Sequence, residues 1–156
     1  MTDPRAAVTT VVDPEIRVLT IEELGILRDV RTGPDGRVTV IITPTYTGCP
    51  AMDVIRADIR AALARAGYPD AEVVIELSPA WNTDMISDSG RAKLAAAGIA
   101  PPQHRHAGVV RLTLTVRCPR CGSPDTEELS RFGSTACKSL RRCRACAEPF
   151  DAIKAF

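Results

Sequence analysis

The chain has 156 residues, of which 45% are hydrophobic and 25% charged, the balance of a soluble globular domain rather than a disordered or fibrous one. Twenty Lys/Arg against nineteen Asp/Glu leave a formal charge of +1, so no global field directs the chain to nucleic acid or an anionic membrane. No apolar run approaches the eighteen or so residues that span a bilayer. The length suits one domain, or one domain with a small appendage. The opening MTDPRAAVTTVVDPE carries early acid and proline and lacks the basic-then-apolar pattern of a secretory signal. A cytoplasmic, reducing location is therefore expected, where cysteines serve as ligands or nucleophiles more than as disulfides.

In chain order, Ala6 to Val12 is expected to form a short helix, broken by Asp13-Pro14-Glu15. Thr20 to Gly25 reads as a tight helical turn in which Thr20 caps, Glu23 reciprocates and Gly25 closes. Ile26 to Val30 and Val38 to Thr43 are strand-like and flank the turn Gly33-Pro34-Asp35-Gly36, which predicts a hairpin. Met52, Ile55, Ile59, Leu63 and Ala66 share one stripe of a helix that Gly67 ends. Glu72 to Leu77 is a third strand. Ile86 to Ala97 is a further helix, capped by Asp84 or Ser87. Residues 1–100 thus read as an α+β domain, a small mixed sheet with packed helices. The proline-broken residues 101–108 read as a linker, and residues 109–156 as a separate module that opens with the alternating VVRLTLTV.

That module is rich in cysteine. The six cysteines are at 49, 118, 121, 137, 143 and 146, so five fall in the last 40 residues. Cys118/Cys121 and Cys143/Cys146 form two Cys-x-x-Cys pairs separated by 21 residues. Each such turn lets two thiolates converge on one ion, two turns complete a tetrahedral site, and the spacing leaves room for a strand out and a strand back. Gly122 supplies a permissive backbone after the first pair. A zinc-ribbon-like site of four cysteines is the expectation, with structural zinc the default for a piece too short to build a large core. Four thiolates also suit iron or an iron–sulfur cluster, and two independent redox pairs are the remaining alternative. Cys137 reads as a buried small residue, with a spare ligand or a resolving thiol as alternatives.

Residues 117–156 hold eight Lys/Arg against five Asp/Glu, leaving twelve against fourteen for residues 1–116. Arg117, Arg120, Arg131, Lys138, Arg141, Arg142 and Arg144 could form a nucleic-acid patch, but only Phe132 interleaves with them. A solvated face, or a docking surface for an acidic protein, is the preferred reading.

One cysteine stands apart. In Pro44-Thr45-Tyr46-Thr47-Gly48-Cys49-Pro50, a strand hands over to a helix. If Pro50 takes the first helical position, Cys49 is the N-cap. Unpaired amides and the helix dipole then favour thiolate over thiol, with the hydroxyls of Thr43, Thr45, Tyr46 and Thr47 nearby. Such a sulfur can attack an electrophile, or bind a soft metal or an iron–sulfur cluster. The bland alternative is a small residue filling a helix start. Asp13 and Glu15 read either as an acidic pair or, preferably, as turn and cap residues. His104 and His106 read as solvated. Without a histidine near Cys49 in the pattern, a Cys–His hydrolase is disfavoured, and no residue is assigned a catalytic role.

Asp13-Pro14-Glu15-Ile16, Ile21 to Ile26 and Pro44 to Ala51 resemble the SufT-type iron–sulfur assembly factor family. Ser78-Pro79-Ala80-Trp81, Gly98 to Pro102, Phe132-Gly133-Ser134-Thr135 with Cys137-Lys138, and Glu148 to Asp151 resemble the D component of 1,2-phenylacetyl-CoA epoxidase, a system of aerobic phenylacetate degradation. The resemblance implies an accessory protein that assists maturation of iron or iron–sulfur centres, or assembly of the complex. By position, Cys49 is the cysteine of the assembly domain and Cys118, Cys121, Cys143 and Cys146 are the ribbon ligands. Asp13, Glu15, Thr47 and Cys137 are auxiliary candidates. The implied partners are the oxygenase and reductase subunits, with neither nucleic acid nor membrane. A scaffold with purely structural zinc and an iron-containing electron carrier are the alternatives.

Overall fold

The computed structural model describes residues 2–104 and 115–154. His106 and most of the expected VVRLTLTV strand lie outside the described residues. The chain divides into two compact units, residues 1–90 and 91–156.

In the first unit, α1 (Pro4–Val8) begins earlier than the expected Ala6. Asp3 is its N-cap, accepting from the amides of Arg5 and Ala6, and Pro4 occupies a first-turn position that needs no amide hydrogen. The expected capping box forms at residues 20–23. The Thr20 amide donates to Glu23 Oε2 at 3.1 Å and the Glu23 amide to Thr20 Oγ1 at 3.2 Å. Strands β1 (Leu27–Thr32) and β2 (Val38–Ile42) pair antiparallel as the predicted hairpin. Helix α2 (Ala51–Arg65) then crosses over, so that β3 (Glu72–Ile75) pairs parallel with β2 in a mixed sheet of order β1-β2-β3.

Helix α2 buries Ala51, Met52, Ile55, Ile59, Ala62 and Leu63, with Ala62 rather than Ala66 completing the apolar stripe. Its end is a full Schellman closure. The Tyr68 amide reaches Leu63 O at 2.9 Å and the Gly67 amide reaches Ala64 O at 3.2 Å, with Gly67 at φ +101°. Its start differs from expectation. Pro50, at φ −68° and ψ −20°, is the N-cap and offers no side-chain cap, so Cys49 precedes the cap instead of forming it. The reason is local: the Met52 amide bonds Cys49 O at 3.2 Å, an i to i+3 closure, and the α-helical ladder begins only after that tight turn.

The expected second helix is shorter. Residues Thr83–Met85 form a 3-10 turn capped by Asn82, and Ile86 is extended, so α3 runs Asp88–Ala96. Ser87 is the capping residue, since its Oγ accepts from the Gly90 amide at 3.0 Å. Trp81, only 6% exposed, donates its indole N–H to Leu24 O at 2.9 Å and ties the 78–83 loop to the turn before β1.

In the second unit the sheet order is β4-β7-β6-β5, formed by β4 (Ile99–Ala100), β5 (Thr126–Ser130), β6 (Lys138–Cys143) and β7 (Pro149–Ile153). Residues 99–100 were expected to close the first domain; instead they pair parallel with Asp151 and Ala152 of β7. The compact units accordingly divide earlier than residue 100.

Gly25 sits at φ +80°, and a Cβ there would lie 2.6 Å from Met85 O and 2.7 Å from Met85 Cβ. Gly25→Ala combines a left-handed backbone with a backbone overlap and is expected to destabilise the first unit on the order of 3 kcal/mol. Urea unfolding followed by Trp81 fluorescence measures it.

Candidate metal centre

Two turns build the C-terminal site. In the first, the Gly122 amide bonds Cys118 O at 2.8 Å and the Cys118 amide bonds Ser123 O at 3.0 Å, with Gly122 at φ +75°. In the second, between β6 and β7, the Cys143 amide bonds Glu148 O at 2.9 Å. Here Ala147 takes the left-handed conformation at φ +63°, one residue after the second cysteine, as Gly122 does in the first turn. The sequence signal was blind to this, because alanine is not a residue that announces positive φ. The Arg144 amide donates to Asp125 O at 2.9 Å and joins the second turn to the chain that leaves the first.

The four sulfurs of Cys118, Cys121, Cys143 and Cys146 lie within 4.8 Å of one another. Cys118 Sγ is 3.8 Å from Cys146 Sγ, and Cys121 Sγ is 3.5 Å from Cys143 Sγ. Tetrahedral zinc with four thiolates requires sulfurs about 3.8 Å apart, so these residues fit the ion. Cys118 and Cys143 are buried while Cys121 and Cys146 are exposed, so the site lies at the surface. In the metal-free chain the thiols divide their protons unevenly. The Cys146 amide, opposed by burial, draws the Cys143 thiol down to about 7. The Ser123 amide favours the Cys121 thiolate, but the neighbouring sulfurs of Cys143, Cys146 and Cys118, together with burial, push it up to about 12. Four thiolates cannot collect here without a cation to neutralise them.

Cys137 is not part of this cluster. It is buried, with Thr135 Oγ1 at 3.0 Å from its sulfur, in line with the small-buried-residue reading. His104 is exposed. The basic residues are mostly engaged in ion pairs. Register places Glu127 opposite Arg142 and Glu128 opposite Arg141. Glu127 binds Arg142 and, at 3.0 Å, Arg144; Glu128 meets Arg141 at 3.5 Å, and Glu148 meets Arg120 at 2.9 Å. Arg144 and Arg142 hold the Glu127 carboxyl below its ordinary range.

In the first unit, Cys49 is half-buried and Thr47 and Gly48 are exposed. Gly48 is at φ +78°, with open space where a Cβ would be. At the foot of this loop the Thr43 hydroxyl is buried without a hydrogen-bond partner among the described residues, a group ordinarily met by water or a ligand. Asp13 Oδ1 accepts from the amides of Glu15 at 2.9 Å and Ile16 at 2.6 Å, the turn-capping role preferred from sequence.

Residues 3–80 match the model of an iron-sulfur cluster assembly protein family, and residues 102–154 that of the PaaD zinc beta ribbon domain. The chain is 46% identical over 149 residues to the D component of the "Putative 1,2-phenylacetyl-CoA epoxidase" of Escherichia coli, covering 96% of this chain and 89% of that one. The chain belongs to the family of this epoxidase component. The chain is also 38% identical over 86 residues to a Porphyromonas gingivalis Fe-S protein maturation auxiliary factor, covering 54% of this chain and 81% of that one. Among solved structures, a domain of unknown function DUF59 from Bacillus anthracis matches 58% of this chain and 87% of its own, with a TM-score of 0.54 and 26% identity. The fold is therefore α+β, with a four-cysteine zinc-ribbon module at the C-terminal end of this family member.

Metal loading must displace thiol protons, so zinc affinity is expected to fall as pH drops through about 7, where Cys143 takes up its proton. Stripping the ion with a strong chelator removes on the order of 10 kcal/mol of folding free energy. Amide exchange should then collapse in β5, β6 and β7 while β1, β2 and α2 stay protected.

Proposed function

We propose that this chain is an accessory factor of a phenylacetyl-CoA epoxidase system in aerobic phenylacetate catabolism. In this reading Cys49 transiently receives or delivers iron or an iron–sulfur cluster as cargo for a metal centre of that system. The observation that carries it is the separation of two kinds of sulfur. Four thiols close on one another and leave no valence for cargo, whereas Cys49 stands outside them in a loop with an exposed flank. Zinc in the C-terminal site holds that module in shape and takes no part in transfer. The family match over residues 3–80 and the relative named as a maturation factor support the assembly role. The relative named as an epoxidase component supports the pathway and, as partners, the oxygenase and reductase subunits. Thr47 is the auxiliary candidate nearest Cys49 along the chain, and Thr43 places its buried hydroxyl at the foot of the same loop; Asp13 and Glu15 shape the turn after α1.

Cys49→Ser changes one atom at a half-buried site and is expected to alter stability by less than about 1 kcal/mol. Epoxidase activity in cells complemented with the variant should fall roughly tenfold or more, the scale on which losing a metal contact acts. Metal content of the oxygenase isolated from those cells gives the second readout. Full activity with full metal loading would reduce the protein to a zinc-stapled adaptor.

A further inference from the structure

Phe132 is the most exposed of the large hydrophobic side chains among the described residues, at 70%, and it lies in the loop between β5 and β6. An aromatic ring left in water is ordinary when the loop beneath it is loose. This loop is fastened at almost every residue. The Phe132 amide donates to Ser130 Oγ at 3.1 Å and the Gly133 amide to Lys138 O at 2.7 Å. Ser134 Oγ donates to Asp151 Oδ2 at 2.8 Å, and Lys154 Nζ donates to Ala136 O at 2.9 Å. A Cβ on Gly133 would lie 2.6 Å from Asp151 Oδ1, so the absence of a side chain there lets the loop and that carboxylate approach closely. Lys154 stands over the Phe132 ring at 4.3 Å from its centroid. A bulge in β5 between Glu128 and Ser130 leaves Leu129 half exposed in the same segment, on the edge strand of the sheet.

The charge around this ring can be assigned residue by residue. All five carboxylates of residues 117–154 are in ion pairs: Asp125 with Arg144, Glu127 with Arg142 and Arg144, Glu128 with Arg141, Glu148 with Arg120, and Asp151 with Lys138. Of the eight cations in residues 117–154, Arg117, Arg131 and Lys154 have no carboxylate partner among the described residues. Two of these flank Phe132, one as its chain neighbour and one over its face. The surplus of positive charge is therefore concentrated where the apolar group protrudes.

We infer that Phe132, Leu129, Arg131 and Lys154 form a pre-organised docking knob for a protein partner that offers an apolar pocket rimmed by carboxylates. A rigid aromatic anchor loses little conformational freedom on binding, and cations at its rim steer an acidic surface and fix its orientation. Single-stranded nucleic acid is the weaker fit, because stacking platforms use several aromatics along a basic groove and here a single ring stands with two cations. The choice of partner rests on the accessory reading above: the oxygenase and reductase subunits of the epoxidase.

The test is biolayer interferometry of the full, zinc-loaded chain against those purified subunits. Wild type should bind saturably. Phe132→Ala should bind at least about thirtyfold more weakly, the scale of an interface hot spot, with zinc content and Tm unchanged because the ring is exposed. Phe132→Tyr should restore most of the affinity. Arg131→Glu should weaken binding more in about 50 mM than in about 500 mM salt. If Phe132→Ala binds within about twofold of wild type, the knob is refuted and the accessory role stands. If wild type does not bind the subunits, the assignment of partner falls and the knob falls with it. Competition by a single-stranded oligonucleotide that needs Phe132 would likewise overturn the protein-docking assignment.

Discussion

Four sulfurs that must reach one point govern the C-terminal unit. Among the described residues, one buried cluster of this unit joins Ala100, Cys118, Cys143, Phe150 and Ala152, with Val116 packed against it. Two of those five residues belong to the four-cysteine cluster, so the candidate metal site and this apolar cluster are one object. A module of this length gains much of its order when such a site is filled by an ion. The strand register follows from the same requirement. The β6 strand ends on Cys143, β7 begins just beyond the second turn, and the cross-strand pairs Glu127–Arg142 and Glu128–Arg141 fall into line once the cysteines have met.

The first unit stands on the opposite principle. Leu19, Ile21, Leu24, Ile26, Ile42, Ile55, Ile59 and Leu63 are each 2% exposed or less, and Trp81 is pinned against the same region by its indole N–H. Apolar burial of this extent sustains a fold without a cofactor. The loop that carries Cys49 therefore projects from a scaffold that does not depend on that sulfur. The proposed carrier role would need this division, because a thiol that also held the fold together would unfold its own domain whenever cargo left.

Much of this was legible in the residues. The hairpin followed from Gly33-Pro34-Asp35-Gly36 between apolar runs, the course of α2 from its stripe and Gly67, and the convergence of four thiols from two spaced Cys-x-x-Cys pairs. What escaped was set by contacts across the fold or by a single bond. The start of α2 turned on the closure from the Met52 amide to Cys49 O, which shifted the cap from Cys49 to Pro50. Helix α3 lost its first residues because Ile86 is drawn into an extended, buried conformation after the 3-10 turn. The basic run looked like a surface field, yet five of its seven members pair with carboxylates, and the register places Arg141 and Arg142 opposite Glu128 and Glu127. Ala147 at positive φ carried no compositional mark at all.

The two-residue strand β4 has a practical meaning out of proportion to its size. It covers the side of β7 that β6 does not reach. The ribbon family match begins at residue 102, just after it. A fragment cut at that point would keep all four thiols and could still load its ion. It would also bare a row of unsatisfied backbone donors and acceptors along Asp151 and Ala152, the kind of open margin on which two copies zip together. Closure of the cysteine turns and closure of the sheet margin are thus separate properties, and the pairing with Ile99 and Ala100 supplies the second.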